Sequence, residues 1–285
     1  MQNEIKNCQN CKKDFTIESE DFNFYEKIKV PPPTFCSECR MKRRMSWRNI
    51  RNLYKGVCNA EGHKENLISS FSLEKSFVVY DQKYWWGDEW DPMTYGKDYN
   101  FSVPFFVQFN ELLKRVPIPN ISNINSINTE YANMTIESKN CYLMFSGNKN
   151  ENCCYSEGIN DCRNCLDLLA SRNSEYMYQS IDSKNCFSVS FCVKSVDCMD
   201  SIFLYDCKNC SNCFGCWNLR NKKYCIFNEQ FSKEEYLKKI ENFNLNSYSS
   251  FENFKDIYKE KSKIIGTGFN WNIGDKIPLP DKFAR

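Results

Sequence analysis

An Asn-Cys or Asp-Cys step that returns about every dozen residues constrains this chain more than any other feature. It occurs at Asn140-Cys141, Asn152-Cys153, Asn164-Cys165, Asn185-Cys186, Asp197-Cys198 and Asn209-Cys210, with a further step at Asn212-Cys213. Between Cys165 and Cys186 there is room for one more unit, read as Ser174-Glu175-Tyr176 with Tyr in the place of Cys. A fixed period of this kind signals stacked supersecondary units, none able to bury its apolar face alone. Each step opens five to eight mostly apolar or small residues, as from Cys141 to Ser146 or from Cys198 to Tyr205, and a polar connection follows. Such runs read as short strands and turns.

An antiparallel meander and a parallel solenoid both fit the period, and the phase separates them. Asn-Cys always opens the strand, whereas in a meander successive openings lie at opposite ends. Parallel stacking sets like residues above one another, as Asn and Cys ladders, and a reduced thiol suits an inward ladder because it behaves as a small hydrophobe. The expected fold is therefore mainly β with flanking helices: a C-terminal parallel β-solenoid of about 12-residue units over 120–228. One unit or two could make a coil; the large Phe and Leu side chains favour the roomier two. Ile121, Ile124 and Ile127, three residues apart, read as its lead-in.

Cysteine usage bounds the rest. Eighteen cysteines with no N-terminal export signal argue for a reducing compartment, the cytoplasm, and for metal or buried thiols over disulfides. No apolar run approaches the roughly 18 residues of a membrane span.

The first 57 residues carry the sharpest chemistry. Cys8 and Cys11 form one Cys-x2-Cys knuckle, Cys36 and Cys39 a second. Four thiolates in two such pairs suit tetrahedral zinc, and a closed four-thiolate shell leaves no open position, so the metal is expected to be structural. Between the pairs the chain reads as a strand from Asp14, a short helix around Asp21–Glu26, and a stop at Val30 and the prolines that follow it. A zinc-ribbon-like module is expected.

With Lys13-Asp14-Phe15, Phe22, Phe24-Tyr25, the prolines and the closing Cys36-x2-Cys39-Arg40, these first 45 residues resemble the bacterial family of probable zinc-binding domains. The whole chain resembles uncharacterised Cys-rich proteins of small-genome bacteria, some of which carry a coenzyme A-transferase label that no residue here supports. The resemblance implies zinc binding and leaves function open.

Between Arg40 and Lys55 lie seven basic residues and no acid, although the net charge of the chain is only +2. Arg40, Arg44, Arg48, Arg51 and Lys55 fall three or four apart, a basic stripe if the segment is helical, with Lys42 and Arg43 beside it and Trp47 and Tyr54 interleaved. Such a face neutralises phosphates, and its aromatics stack on unpaired bases. The expected partner is nucleic acid, RNA or the ribosome foremost, through Arg40, Lys42, Arg43, Arg44, Trp47, Arg48, Arg51 and Lys55. The plainer alternatives are a surface that meets acidic protein groups and a merely solvated face.

Other motifs read more plainly. His63 is the only histidine, so no multi-histidine centre exists, and with Cys58 it reads as a turn pair. Residues 58–119 form an aromatic-rich connector in which Asp88, Glu89 and Asp91 sit among tryptophans. A sugar cleft with two catalytic acids is one reading, core packing with turn carboxylates the commoner one. Phe105 to Val116 reads as a helix ended at Pro117. Cys207, Cys210, Cys213 and Cys216 have the spacing of a second metal site, but overlapping repeat units produce it too. Over 229–285, Ser232-x2-Glu235 and Ser249-x2-Glu252 read as capping boxes opening two helices that cover the final coil, before a tail. The functional expectation is a non-enzymatic zinc-binding interaction protein that contacts nucleic acid, with a protein scaffold built on the solenoid as the alternative and a carbohydrate-active enzyme a distant third.

Overall fold

The computed structural model describes residues 2–46, 49–243 and 248–262. The chain falls into two compact units, one of Met1–Val79 with Pro92–Asn120, the other of Tyr80–Asp91 with Ile121–Arg285.

The first unit opens on a hairpin. β1 (Glu4–Asn7) pairs antiparallel with β2 (Asp14–Ile17), Asn7 opposite Asp14. The turn between them is closed by Cys8 N–H on the Lys13 carbonyl and by Lys12, which takes a left-handed φ of 62°. Helix α1 (Ser19–Lys27) starts in a capping box of Glu18 and Asp21 and stops before the prolines. Helix α2 (Ser37–Met45) follows, with Cys36 as its N-cap. The basic stripe is not one helix: α2 ends at Met45, Arg51 lies in a bend and Lys55 sits on β3 (Tyr54–Val57), which pairs with β4 (Asn66–Ser69). Once the chain must turn into that hairpin, the three-to-four spacing of its arginines has no helix to ride on.

In the second unit the parallel solenoid is present, with about nine turns. Each turn is one 12-residue unit, since every parallel pairing joins residues twelve apart: Lys139 to Glu151, Cys153 to Cys165, Met177 to Val189, Leu204 to Cys216. The roomier two-unit coil is thus not formed, because most large side chains point outward. What makes so short a coil close is the backbone. Every third residue from Asn125 to Phe227 has a positive φ, between 44° at Gln179 and 65° at Gly158 and Gly215. Each left-handed residue turns a corner, the next points inward and the third outward, so a coil has four sides of three residues. Asn and Asp tolerate this conformation best among residues with a Cβ, and they hold about half of the corners. The Asn-Cys step is a corner followed by an inward thiol.

The four inward positions form four columns, and the repeat changes column midway. Cys141, Cys153 and Cys165 stack in one, which continues as Met177 and Val189 and ends in Cys213 and Cys225. Cys162, Ser174, Cys186, Cys198 and Cys210 stack in the column one side earlier. Tyr176 therefore does not replace Cys: it is an exposed corner, and Ser174 and Met177 beside it take the inward places. Ile124 and Ile127 likewise face outward, 45 % and 61 % exposed.

From residue 141 on, each full coil encloses one large aliphatic side chain: Met144, Ile159, Leu168, Met177, Val189, Leu204 and Leu219 in turn. The other inward residues are mostly Cys and Ser, and these two do the same work. Ser156 donates to the Cys154 carbonyl two residues back (2.8 Å) and accepts the N–H of Leu168 twelve residues on (3.1 Å). Cys141 donates to the Lys139 carbonyl (3.3 Å) and reaches that of Asn150 (3.7 Å). Each pairs backbone groups that would otherwise be stranded in a dry interior. Asn150, the largest polar inward residue, faces Gly147 in its own coil, where a Cβ would meet the Asn150 Nδ2 at 2.7 Å.

The ladder ends in a substitute for a further coil. The Asn228 amide accepts from Trp217 N–H and donates to the Trp217 carbonyl, both at 2.9 Å, as a next strand would. Helix α3 (Gln82–Trp85) belongs to this second unit and α4 (Phe105–Arg115) to the first. The two helices expected after the solenoid are α5 (Lys233–Ile240), opened by the Ser232–Glu235 capping box, and α6 (Tyr248–Ser262), in which Ser249 lies inside the helix and not at its cap. α6 lies along the flank: Phe251 packs on Phe191 and Phe203, and Phe254 on Phe203, Phe214 and Phe227. Gly215 makes room, since a Cβ there would meet the Phe227 and Phe254 rings at 2.9 and 3.0 Å.

Ser183→Leu adds a second large side chain to the coil that holds Met177 and removes the acceptor of the Ser195 N–H (3.4 Å). It should cost about 2–5 kcal/mol, from overpacking and a stranded donor together, whereas Cys198→Ser should cost about 1 kcal/mol or less. Urea unfolding midpoints of the two variants check this; equal midpoints would remove the one-large-residue rule.

Candidate metal centre

The four N-terminal cysteines converge although 24 residues separate the two pairs. Their sulfurs all lie within 4.8 Å of one another, and among the described residues this is the one group of three or more Cys, His, Asp or Glu so placed. Cys8 and Cys11 come from the β1–β2 turn; Cys36 and Cys39 come from the start of α2, where the helix dipole favours negative charge. Cys8, Cys36 and Cys39 are buried and Cys11 is half-buried. A tetrahedral ion with metal–sulfur bonds of about 2.3 Å needs sulfurs about 3.8 Å apart, and Cys11 and Cys36 stand at 3.8 Å.

Donors around the cluster are arranged for thiolates. Cys8 Sγ accepts the Cys36 N–H (3.2 Å), Cys36 Sγ the Cys39 N–H (3.4 Å), and Cys39 Sγ the Asn10 side-chain amide (3.3 Å). Burial pushes the Cys8 thiol up, but N–H groups from Cys36, Cys11 and Asn10 outweigh it and hold it at about 6. At Cys39 the Asn10 amide pulls down, while burial and the three neighbouring thiols push harder and raise it to about 11. Four sulfurs this close cannot all ionise without a cation among them. Asn10 escaped the sequence reading: it lies inside the first knuckle, and only the fold brings its amide to a sulfur 29 residues away.

The remaining expected site residues are dispersed. Lys42, Arg43 and Arg44 are exposed near the end of α2; Lys42 pairs with Glu38 (2.8 Å) and Arg43 lies over the Phe35 ring. Arg40 is half-buried, Arg51 and Lys55 are exposed, and Trp47 and Arg48 lie outside the described residues. Cys58 is buried but apart from the four-cysteine group, and His63 closes a turn on the Ala60 carbonyl. Asp88, Glu89 and Asp91 are exposed, while Tyr80, Trp85 and Trp90 pack ring on ring beside them. Cys207, Cys210, Cys213 and Cys216 are buried on four successive sides of the coil, each donating to a backbone carbonyl. All eighteen cysteines are unpaired. Cys192 shows the solenoid environment best: burial drives its thiol well above the usual range, so it stays protonated and inert.

No family model matches the chain, and no curated protein matches it. Among the described residues no helix is long and apolar enough to cross a membrane.

Cys36→Ser should abolish metal retention, since one lost thiolate opens a closed shell, and it should lower the melting temperature of residues 2–46 without touching the solenoid. Native mass spectrometry of protein purified without oxygen, with amide exchange mapped over both segments, reads both effects. Full metal retention in Cys36→Ser would show that the four sulfurs are not the ligands.

Proposed function

We propose that the chain is a zinc-binding interaction protein whose first unit meets nucleic-acid backbone, RNA foremost. The four-sulfur spacing supports zinc, which takes four thiolates in a tetrahedron at these distances. The ion would have a structural role: it would tie the β1–β2 turn to the start of α2 and so fix where that helix points. Eighteen unpaired thiols suit a reducing compartment, the cytoplasm.

The observation that carries the nucleic-acid reading is the exposed run Lys42, Arg43 and Arg44 at the end of the helix that begins with two metal ligands. Arg51 and Lys55 add exposed charge within a few residues, and no acid interrupts the segment from Arg40 to Lys55. Cations fixed on a metal-anchored helix meet phosphates without first ordering a loop, so little entropy is lost on binding. A second reading, a protein scaffold, is favoured by Tyr142, Tyr155, Leu166 and Tyr178, which are 36–50 % exposed in the earlier coils, on the face that α6 covers further along.

Reversing Lys42, Arg43 and Arg44 to Glu should weaken binding to a single-stranded RNA by about a hundredfold or more at low salt. It should also flatten the dependence of log K on log salt by about two to three, with zinc content unchanged. Fluorescence anisotropy over a salt series reads this. Salt-independent binding, or none to RNA or DNA, refutes the reading; a protein partner retained by the triple variant favours the scaffold.

A further inference from the structure

A groove of about 460 Å³ runs across successive coils of the solenoid. One wall is the corner column of Asp161, Asn173 and Asn185, continued by Lys149. The other, two residues further along each coil, is Arg163, Glu175 and Phe187. Ser174 and Cys186, inward residues of two adjacent coils, lie at its floor. Parallel pairing sets Arg163, Glu175 and Phe187 directly above one another, about 4.8 Å per step.

The groups along the walls are planar and still have hydrogen bonds to give. Asn173 donates to Asn185 (3.2 Å) and Asn185 to Asp197 (2.8 Å), which uses one N–H of each amide and leaves the second. Arg163 and Glu175 are in register, yet among the described residues neither they nor Asp161 form an ion pair; Lys149 pairs with Glu137 (4.0 Å). Two cations and two carboxylates cancel. At one end Phe187 and Tyr176, 45 % and 54 % exposed, meet edge to face at 5.6 Å.

We propose that this groove binds a neutral linear oligosaccharide. Amide, guanidinium and carboxylate groups each span two neighbouring hydroxyls, and an exposed ring packs against the C–H face of a sugar, the pairing of few polar groups with aromatic surface that orients a ligand. Cancelled charge gives a polyphosphate no advantage here. An extended peptide would need a free sheet edge, and the N–H and C=O groups of these coils are spent on their neighbours above and below. The columnar repeat matches a polymer whose own units recur along the axis. None of these residues belongs to the metal centre or the basic helix, so the groove stands or falls apart from the nucleic-acid reading.

Calorimetric titration of the full chain with cellohexaose, maltohexaose and chitohexaose tests it. One of the three should bind with 1:1 stoichiometry at about millimolar affinity or tighter. Phe187→Ala and Arg163→Ala should each weaken that affinity about tenfold, a loss of about 1.4 kcal/mol, while Lys208→Ala on another side of the coil leaves it unchanged. Circular dichroism and melting curves like those of the parent confirm that the variants fold. No heat with any of the three sugars, or binding that survives both variants, overturns the proposal; so does an RNA or a peptide that displaces the sugar from the groove at lower concentration.

Discussion

A left-handed corner at every third residue is the constraint from which the solenoid follows. For a residue with a Cβ this conformation costs on the order of 1 kcal/mol, and each coil needs four of them. No isolated coil can be stable under that load. Stacking offsets it, because neighbours twelve residues apart satisfy each other's backbone groups and share one interior. The same load selects the residues. Asn, Asp and an occasional Gly turn the corners cheaply, and at three of the aromatic corners, Phe191, Phe203 and Phe227, the rings of α6 cover the side chain. Gly215 interrupts that aromatic column where the Phe254 ring needs the space.

The narrow interior then explains the cysteines. A four-sided coil of twelve residues holds one large aliphatic group and little else, so its other inward residues are small and able to hydrogen-bond at short range. Thiol and hydroxyl both fit, which is why Cys and Ser share the columns. In the first unit the same residue type serves another end. There the sulfurs of two distant turns meet within 4.8 Å of one another, and donors from Cys36, Cys39 and Asn10 point at them. Convergence makes a metal centre; columnar stacking makes an inert core.

Much of this was legible in the residue order. The two Cys-x2-Cys pairs, the strand from Asp14, the helix before the prolines, the helix opened by Ser232 and the parallel solenoid all carry local signals. The three-residue sub-period was harder to see, because outward positions accept almost any residue and so blur it. That is also why Tyr176 reads as an inward residue: the twelve-residue count from Cys165 falls on Met177, one position further on, and the change of column shows only as a gap of 21 residues between Cys165 and Cys186. The arginine spacing misled for a related reason. A three-to-four rhythm suits a helix, but pairing of β3 with β4 ends the helix at Met45, and a long-range pairing is invisible to a local pattern.

By itself, then, the order of residues determined the repeat length, the direction of stacking and which cysteines stand in pairs, since each depends on spacing along the chain. Only the tertiary structure decided that one unit makes a coil and that the Cys ladder steps from one side to the next. It alone placed Asn10 beside Cys39 and lined a groove with Arg163, Glu175 and Phe187. Those outcomes depend on which atoms meet when the backbone turns its corners, and a left-handed φ at Tyr176 or Phe203 is imposed by neighbouring coils, not by the residue itself.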